Sequence, residues 1–389
     1  FPDMLDDKAR QWFGDKYRIL IDKGIDGFWN DMNEPAIFYS EKHLKEVFEK
    51  MEDYKKMNLD VNTFFEMTGM IGGICNNPED YASFYHNYKG RRYRHDQVHN
   101  LFGYYMTRSA SEAFERYVPE KRILLFSRAS YIGMHRFGGI WQGDNASWWS
   151  HLKMNVKMMP SLNMCGFLYT GADVGGFGAD ATEDLVLRWL EFAVFTPLLR
   201  NHSARGTRRQ EVYRFSHVEK FADVIGVRYQ ILPYIYSEYM KAALQNTMMF
   251  NPLAFLYGED TLAGQVEDQL FIGENIMVAP VCEQNVSGRV VYFPEHMKEL
   301  IFKNGIIEEG KVYEKGFSYV EMQMGTVHIF LREGYLFPVA KGGKCVEDVD
   351  FEDLTLYSFG KEIKPYEYYL DDGETKDFNM ETHIRILSC

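Results

Sequence analysis

Five times between residues 25 and 202 a short apolar run breaks off into polar or acidic residues, and this alternation with helical periodicity constrains the fold more than any other feature. The runs occupy residues 25–30, 122–126, 138–145, 166–173 and 197–202, and helical patterns at 97–117, 148–159, 184–195 and 221–244 separate or follow them. Strands joined through helices cannot pair as hairpins. They pair in parallel, with helices covering the sheet, and polar chemistry then gathers where the strands end. That is the order of a (β/α)8 TIM barrel, whose functional groups sit at the C-terminal rim of its strands. About five βα units are legible where a closed barrel has eight. The expectation is that roughly three units come from a missing N-terminal segment or chain of the same protein, and that Phe1-Pro2-Asp3 is an internal start without initiator Met or signal peptide.

The rest of the chain fills in around this frame. Residues 3–23 carry Leu5, Ala9, Trp12, Phe13 and Leu20 at helical spacing, with Gly24 as a stop, which predicts one amphipathic helix. Residues 40–95 are too long for a simple connection and read as an inserted loop or subdomain. Beyond residue 252 the period shortens to two, as at 288–294 and 326–331. The predicted organisation is α/β: the later strands and helices of a barrel at 1–252, then two all-β sandwich-like domains at 253–332 and 333–389.

Composition closes off several classes of function. A formal charge of −13 repels a phosphate backbone, and no basic run with interleaved aromatics offsets it, so nucleic acid is not an expected partner. The longest apolar runs, such as 271–281, are too short to span a bilayer and carry glycine, glutamate and asparagine, so no membrane segment is expected. Five scattered cysteines without CxxC spacing argue against a disulfide framework and a zinc site. They favour a reducing compartment. Of three Asn-x-Ser sequons, at Asn145, Asn201 and Asn285, the first two fall inside the candidate site, where a glycan would block it; the expected setting is the bacterial cytoplasm. Assembly into a homo-oligomer is left open. The 16% aromatic content suits a cleft in which rings stack on sugar faces, although most such rings serve as core.

Glycosidic hydrolysis with retention needs two carboxyl groups roughly 5 Å apart, one ionised to attack the anomeric carbon and one protonated to assist the leaving oxygen. Asp31, in Trp29-Asn30-Asp31-Met32-Asn33-Glu34-Pro35, sits where a strand gives way to a loop whose amides can hold a carboxylate ionised. Asp144, in Trp141-Gln142-Gly143-Asp144-Asn145-Ala146-Ser147-Trp148-Trp149, lies among three tryptophans that could lower the local dielectric, as an acid requires. Either aspartate alone reads equally as a helix cap or turn residue. Together, at two strand ends 113 residues apart (144 − 31), they read as a pair. Glu34 reads as a neighbour that supports Asp31, and Arg200, Arg205, Arg208 and Arg209 as a solvated, salt-bridged loop without a catalytic role.

The segments 27–35 and 139–145 resemble the nucleophile and acid/base signatures of glycoside hydrolase family 31. Ser127-Arg128-Ala129, Gly171-Ala172-Asp173-Val174-Gly175-Gly176-Phe177 and Pro197-Leu198-Leu199-Arg200-Asn201-His202-Ser203 are similar to further motifs of that family, in the same order. The resemblance implies Asp31 as nucleophile and Asp144 as acid and then base. It implies Arg128 and His202 on the hydroxyls of a glucosyl ring, Trp29, Met32, Trp141 and Phe177 lining its pocket, and Asp173 ordering the polar groups. Read singly, Arg128 also fits a structural ion pair, His202 a core histidine and the rings plain packing. The form of 29–34 is similar to the α-glucosidase variant, and Gly133-Met134-His135-Arg136 departs from the Gln-Arg pair of many relatives, which bears on subsite preference. The implied activity is that of a retaining exo-α-glucosidase acting on α-linked gluco-oligosaccharides, without metal or organic cofactor. An α-glucan lyase or transglucosidase, or a silent carbohydrate-binding relative, are the alternatives.

Overall fold

The computed structural model describes residues 1–388, in two compact units, Phe1–Ile140 and a second from Trp141 onward. The first unit is organised by a three-stranded parallel sheet in the order Gly27–Asn30, Leu124–Ser127, Gly139–Ile140. Gly27 pairs with Leu124 and Asn30 with Ser127, so the polar ends of the first two strands lie side by side. Phe28 and Leu125 point from these strands into a core with Ala110 and Phe114 of the helix His95–Tyr117, and the Phe28 and Phe114 rings stack 5.2 Å apart. This is the βα packing that the sequence period predicts.

One expectation for this unit needs correction. The single helix over 3–23 is two helices, Asp7–Gly14 and Arg18–Ile21. A Cβ at Gly14 would come 2.5 Å from the Ser109 carbonyl oxygen, so the chain is pressed against the helix His95–Tyr117 there, and Asp15 turns away to Arg116 and Tyr117. Trp12 and Leu20, predicted on a buried face, are exposed. The insertion at 40–95, expected as a loop or subdomain, holds the helices Glu41–Tyr54, Val61–Gly72 and Pro78–Ser83 and the hairpin Tyr85–Tyr88 with Arg91–Arg94. Each of the three helices begins at a side-chain cap, from Ser40, Asp60 and Asn77.

In the second unit the strands Asp173–Val174 and Arg200–Asn201 pair in parallel. They are shorter than the runs 166–173 and 197–202 predict. The preceding residues are still held edge to edge, through Gln142 N–H to the Gly171 carbonyl and Leu198 N–H to the Thr170 carbonyl, but Gly171 lies against the Leu198 backbone and breaks the regular ladder. The helices Trp149–Met164, Glu183–Ala193 and Val218–Gln245 follow. A six-stranded antiparallel sheet then runs from Phe250–Pro252 to Val327–Arg332, and Val291, Phe293 and Val320 of the pair Gly288–Phe293 and Gly316–Glu321 pack on its Phe271, Met277 and Phe330 as a sandwich. The pairs Leu336–Ala340 with Leu354–Ser358 and Tyr366–Tyr369 with Ile384–Leu387 complete the chain. One apolar core joins Trp189, Phe221, Ile231 and Tyr234 of the helices to Ile272 and Ile329 of the sheet and to Phe337 and Tyr368 beyond it. Among the described residues no helix is long and apolar enough to cross a membrane.

Candidate active site

Asp31 follows the last residue of the strand Gly27–Asn30, and the loop that carries it is tied to the neighbouring strand end. Asn33 Nδ2 donates to Ser127 Oγ at 2.8 Å, Asn33 Oδ1 accepts from the Ala129 amide at 3.0 Å, and the Arg128 amide donates to the Asn30 carbonyl at 3.0 Å. These bonds bring Arg128 alongside Asp31. Its Nε and Nη2 donate to Glu34 Oε1 and Oε2 at 2.7 and 3.0 Å, and its Nη1 lies 3.3 Å from Asp31 Oδ1. The same Asp31 oxygen accepts from the Met32 amide at 2.7 Å, with Met32 in the left-handed region at φ 55°. A carboxylate held by an amide and a guanidinium is fixed in place at the strand's end, which is the positioning a nucleophile needs. Trp29 lies parallel to Phe126, ring centroids 6.0 Å apart, and it and Met32 keep an exposed face. Glu34, read as a neighbour, is thus the residue that orients Arg128.

In the second unit Asp144 is exposed and its flanks are anchored. Asn145 is buried: its Nδ2 donates to Asn155 Oδ1 at 2.8 Å, and its carbonyl accepts from the Phe177 and Gly178 amides at 2.7 and 2.9 Å. The segments 144–147 and 173–178 are therefore tied to each other. The apolar surround expected of three tryptophans is not assembled around Asp144. Trp141 is buried with the Arg200 guanidinium over its ring at 5.4 Å, Trp149 packs on the core, and Trp148 is 56% exposed.

Asp173 is fully buried and accepts from Arg200 Nε at 2.6 Å, while no hydrogen-bond partner reaches its Oδ2. Burial pushes its carboxyl above the usual range against the pull of Arg200 and His202, and Asp144 nearby pushes the same way. The His202 ring stacks on Phe177 at 5.3 Å. Trp141, Asp144, Asp173, Phe177 and His202 are thus interlinked in the second unit, as Trp29, Asp31, Met32 and Arg128 are in the first.

Sequence reasoning missed Arg200 and Gln210. Arg200, grouped with the solvated arginines, is instead the half-buried partner of Asp173. Its place in the strand Arg200–Asn201, two residues before His202, was the available signal. Gln210 is buried, and its amide donates to the Val174 and Gly176 carbonyls, which sets the curvature of the 173–178 loop. No local pattern marks it. Among the described residues no cluster of three His, Cys, Asp or Glu side chains is arranged to hold a metal ion.

Residues 1–238 match the glycosyl hydrolases family 31 TIM-barrel domain, and residues 246–337 match the glycosyl hydrolase family 31 C-terminal domain. The chain belongs to glycosyl hydrolase family 31. It is 29% identical over 391 residues to the protein named alpha-glucosidase 2 of Bacillus thermoamyloliquefaciens, covering 99% of this chain and 44% of that protein. It is 28% identical over 347 residues to the alpha-glucosidase of Saccharolobus solfataricus, covering 87% of this chain and 46% of that one. Its fold is similar to that of the Flavobacterium johnsoniae GH31 dextranase, with a TM-score of 0.77 at 23% identity, over 96% of this chain and 43% of the dextranase. The chain thus spans less than half the length of these relatives. The TIM-barrel class followed by a β domain, expected from the strand and helix order, is the fold of this family.

Proposed function

We propose that this chain carries the catalytic carboxylates of a retaining exo-α-glucosidase that releases glucose from the non-reducing ends of α-linked gluco-oligosaccharides. The observation that carries the reading is the Asp31 carboxylate, fixed at a parallel strand's C-terminal end by the Met32 amide and the Arg128 guanidinium. Asp31 attacks the anomeric carbon while Asp144 gives its proton to the departing glycosidic oxygen, leaving a glucosyl ester on Asp31. Asp144, now ionised, takes a proton from water. The hydroxide portion displaces Asp31, and the α-configuration is restored. His202, held by Phe177, and Asp173, held by Arg200, bind hydroxyls of the glucosyl ring, with Trp29, Met32 and Trp141 as its apolar walls. In this reading the remaining barrel strands come from chain outside these residues, and activity belongs to the full-length enzyme.

The test is hydrolysis of a 4-nitrophenyl α-glucoside by the full-length enzyme, wild type against Asp31→Asn, with the first anomer followed by NMR. The expected result is α-glucose first, and a loss of at least about 10³-fold in kcat for the variant. Initial β-glucose, or a variant as active as wild type, would overturn the assignment. A dehydrated sugar in place of glucose would mark a lyase.

A further inference from the structure

The first unit also holds an unbroken line of hydrogen-bonded side chains. Asp3 Oδ1 lies 2.8 Å from His86 Nδ1, His86 Nε2 lies 2.8 Å from His95 Nδ1, and His95 Nε2 lies 2.8 Å from His99 Nδ1. The local structure explains the alignment. His86 is on the inward face of the strand Tyr85–Tyr88, and His95 and His99 are one turn apart on the helix His95–Tyr117. His95 has no exposed surface; the Phe38 ring stacks on it at 4.6 Å and the Tyr81 ring lies 5.0 Å away.

The carboxylate fixes the direction of every proton in the line. Asp3 also accepts from the Leu5 and Asn87 amides, so it is held as an acceptor and His86 must donate from Nδ1. If the rings are neutral, His86 Nε2 then accepts from His95 Nδ1, and His95 Nε2 accepts from His99 Nδ1. The line ends on a lone pair at His99 Nε2. A proton taken up there reverses it: His99 keeps Nε2–H and passes its Nδ1 proton to His95 Nε2, and His95 passes its own to His86 Nε2. One proton enters, no hydrogen bond is lost, and the imidazolium rests on His86 against Asp3. Burial, with the two flanking imidazoles, pushes His95 down to about 4, so the charge does not stay in the middle. Asp96 acts on His95 in the opposite sense. Burial also lowers His99, opposed by Glu34, and Glu34 and Cys75 act on Tyr81, whose ring lies 4.7 Å from that of His99. The nearby His43 and Asp80 are paired with each other.

We propose that Asp3, His86, His95 and His99 form a one-proton relay in which His99 is a positioning residue for the Glu34–Arg128 pair beside Asp31. One turn beyond His99 the same helix is pressed against the segments that carry Glu34 and Arg128, where a Cβ at Gly103 would come 2.9 Å from the Asn33 carbonyl oxygen and 2.5 Å from Ala129 Cβ. In the neutral line His99 Nε2 has no proton to offer there, and Glu34 stays with Arg128. In the protonated line the Nε2–H of His99 competes for Glu34 and loosens the fork that holds Asp31. The catalytic consequence rests on the α-glucosidase reading; the relay itself does not.

The experiment is an NMR titration of ¹⁵N-histidine-labelled full-length enzyme, which reads tautomers directly, for wild type, Asp3→Asn and His99→Gln. The expected result is three Nδ1–H rings at high pH that convert together in one transition, with a midpoint lowered by about one pH unit or more in Asp3→Asn. Separate midpoints, or an Nε2–H tautomer at His95 above the transition, would overturn the relay whether or not the enzyme cleaves α-glucosides. In the kinetic arm, the acid limb of kcat/KM is expected to move to lower pH by about half a unit or more in His99→Gln. An unmoved limb alongside a shared NMR transition would overturn the positioning role.

Discussion

Gly176 has no room for a side chain. Its φ is +89°, and an added Cβ would fall 2.5 Å from the Ser147 amide nitrogen and 2.6 Å from the Ala146 carbonyl carbon, both backbone. Gly176→Ala therefore strains the left-handed conformation and forces the 173–178 loop away from the segment that carries Asp144, at an expected cost of more than about 2 kcal/mol. Gly178 is the control, because a Cβ there meets nothing within 4 Å and its φ is ordinary. Denaturant unfolding of the full-length enzyme should show Gly176→Ala clearly destabilised, with kcat/KM also reduced, and Gly178→Ala within about 1 kcal/mol of wild type. Equal effects would mean that the close approach does not set the loop. The candidate site was legible in the sequence wherever its residues stand where an apolar run breaks off, as Asp31, Arg128 and Asp173 do. Arg128 with Glu34, 94 positions apart, and Arg200 with Asp173, 27 apart, were not. Pairing across strands leaves no period in the sequence.

Elements with a full apolar stripe were read almost to their ends, such as the helix predicted over 221–244 and found at Val218–Gln245. The predicted helix over 3–23 fails because periodicity alone does not register that Gly14 must touch another helix. How elements are joined was less visible still. Asn163, buried near the end of the helix Trp149–Met164, donates from Nδ2 to the Phe167 carbonyl at 3.0 Å, and its Oδ1 accepts from the Met249 and Phe250 amides at 3.1 and 2.9 Å. One amide thus stitches this helix to the first strand of the six-stranded sheet. Asn163→Ala leaves one buried carbonyl and two buried amides without it, and should cost about 2–4 kcal/mol. Asn163→Asp keeps the acceptor and loses the donor, so it should fall between the two. Urea unfolding that places Asn163→Ala within error of wild type would show that this stitch carries no stability.

At the scale of the molecule, the two units carry buried titratable groups of opposite sense. In the first, His95 is held neutral by burial, its pKa about 4, while in the unfolded chain it protonates near its ordinary value. The unfolded state therefore binds more protons between about pH 6.5 and 4, and stability present above that window is lost as pH falls through it. The loss is about 2 kcal/mol after allowing for screening. In the second unit burial raises the carboxyls of Glu191, Glu238 and Asp173 against their basic partners Arg188, Lys241 and Arg200. There the folded state takes up protons before the unfolded one, so acidification toward the raised values relieves a cost. Acid should accordingly loosen the first unit before the second. Hydrogen exchange on the full-length enzyme at pH 7 and pH 5, corrected for intrinsic rates, should show faster opening around residues 95–102, and opening no faster across 185–192 and 234–242. His95→Gln should weaken the first response, because the histidine that burial lowers furthest is gone while His99 remains. A uniform change in both units, or a response at 95–102 that survives the substitution undiminished, would overturn the assignment to His95. The net charge of −13 does not supply an acid loosening, because acidification toward the pI near 5.4 reduces the self-repulsion of the chain as a whole.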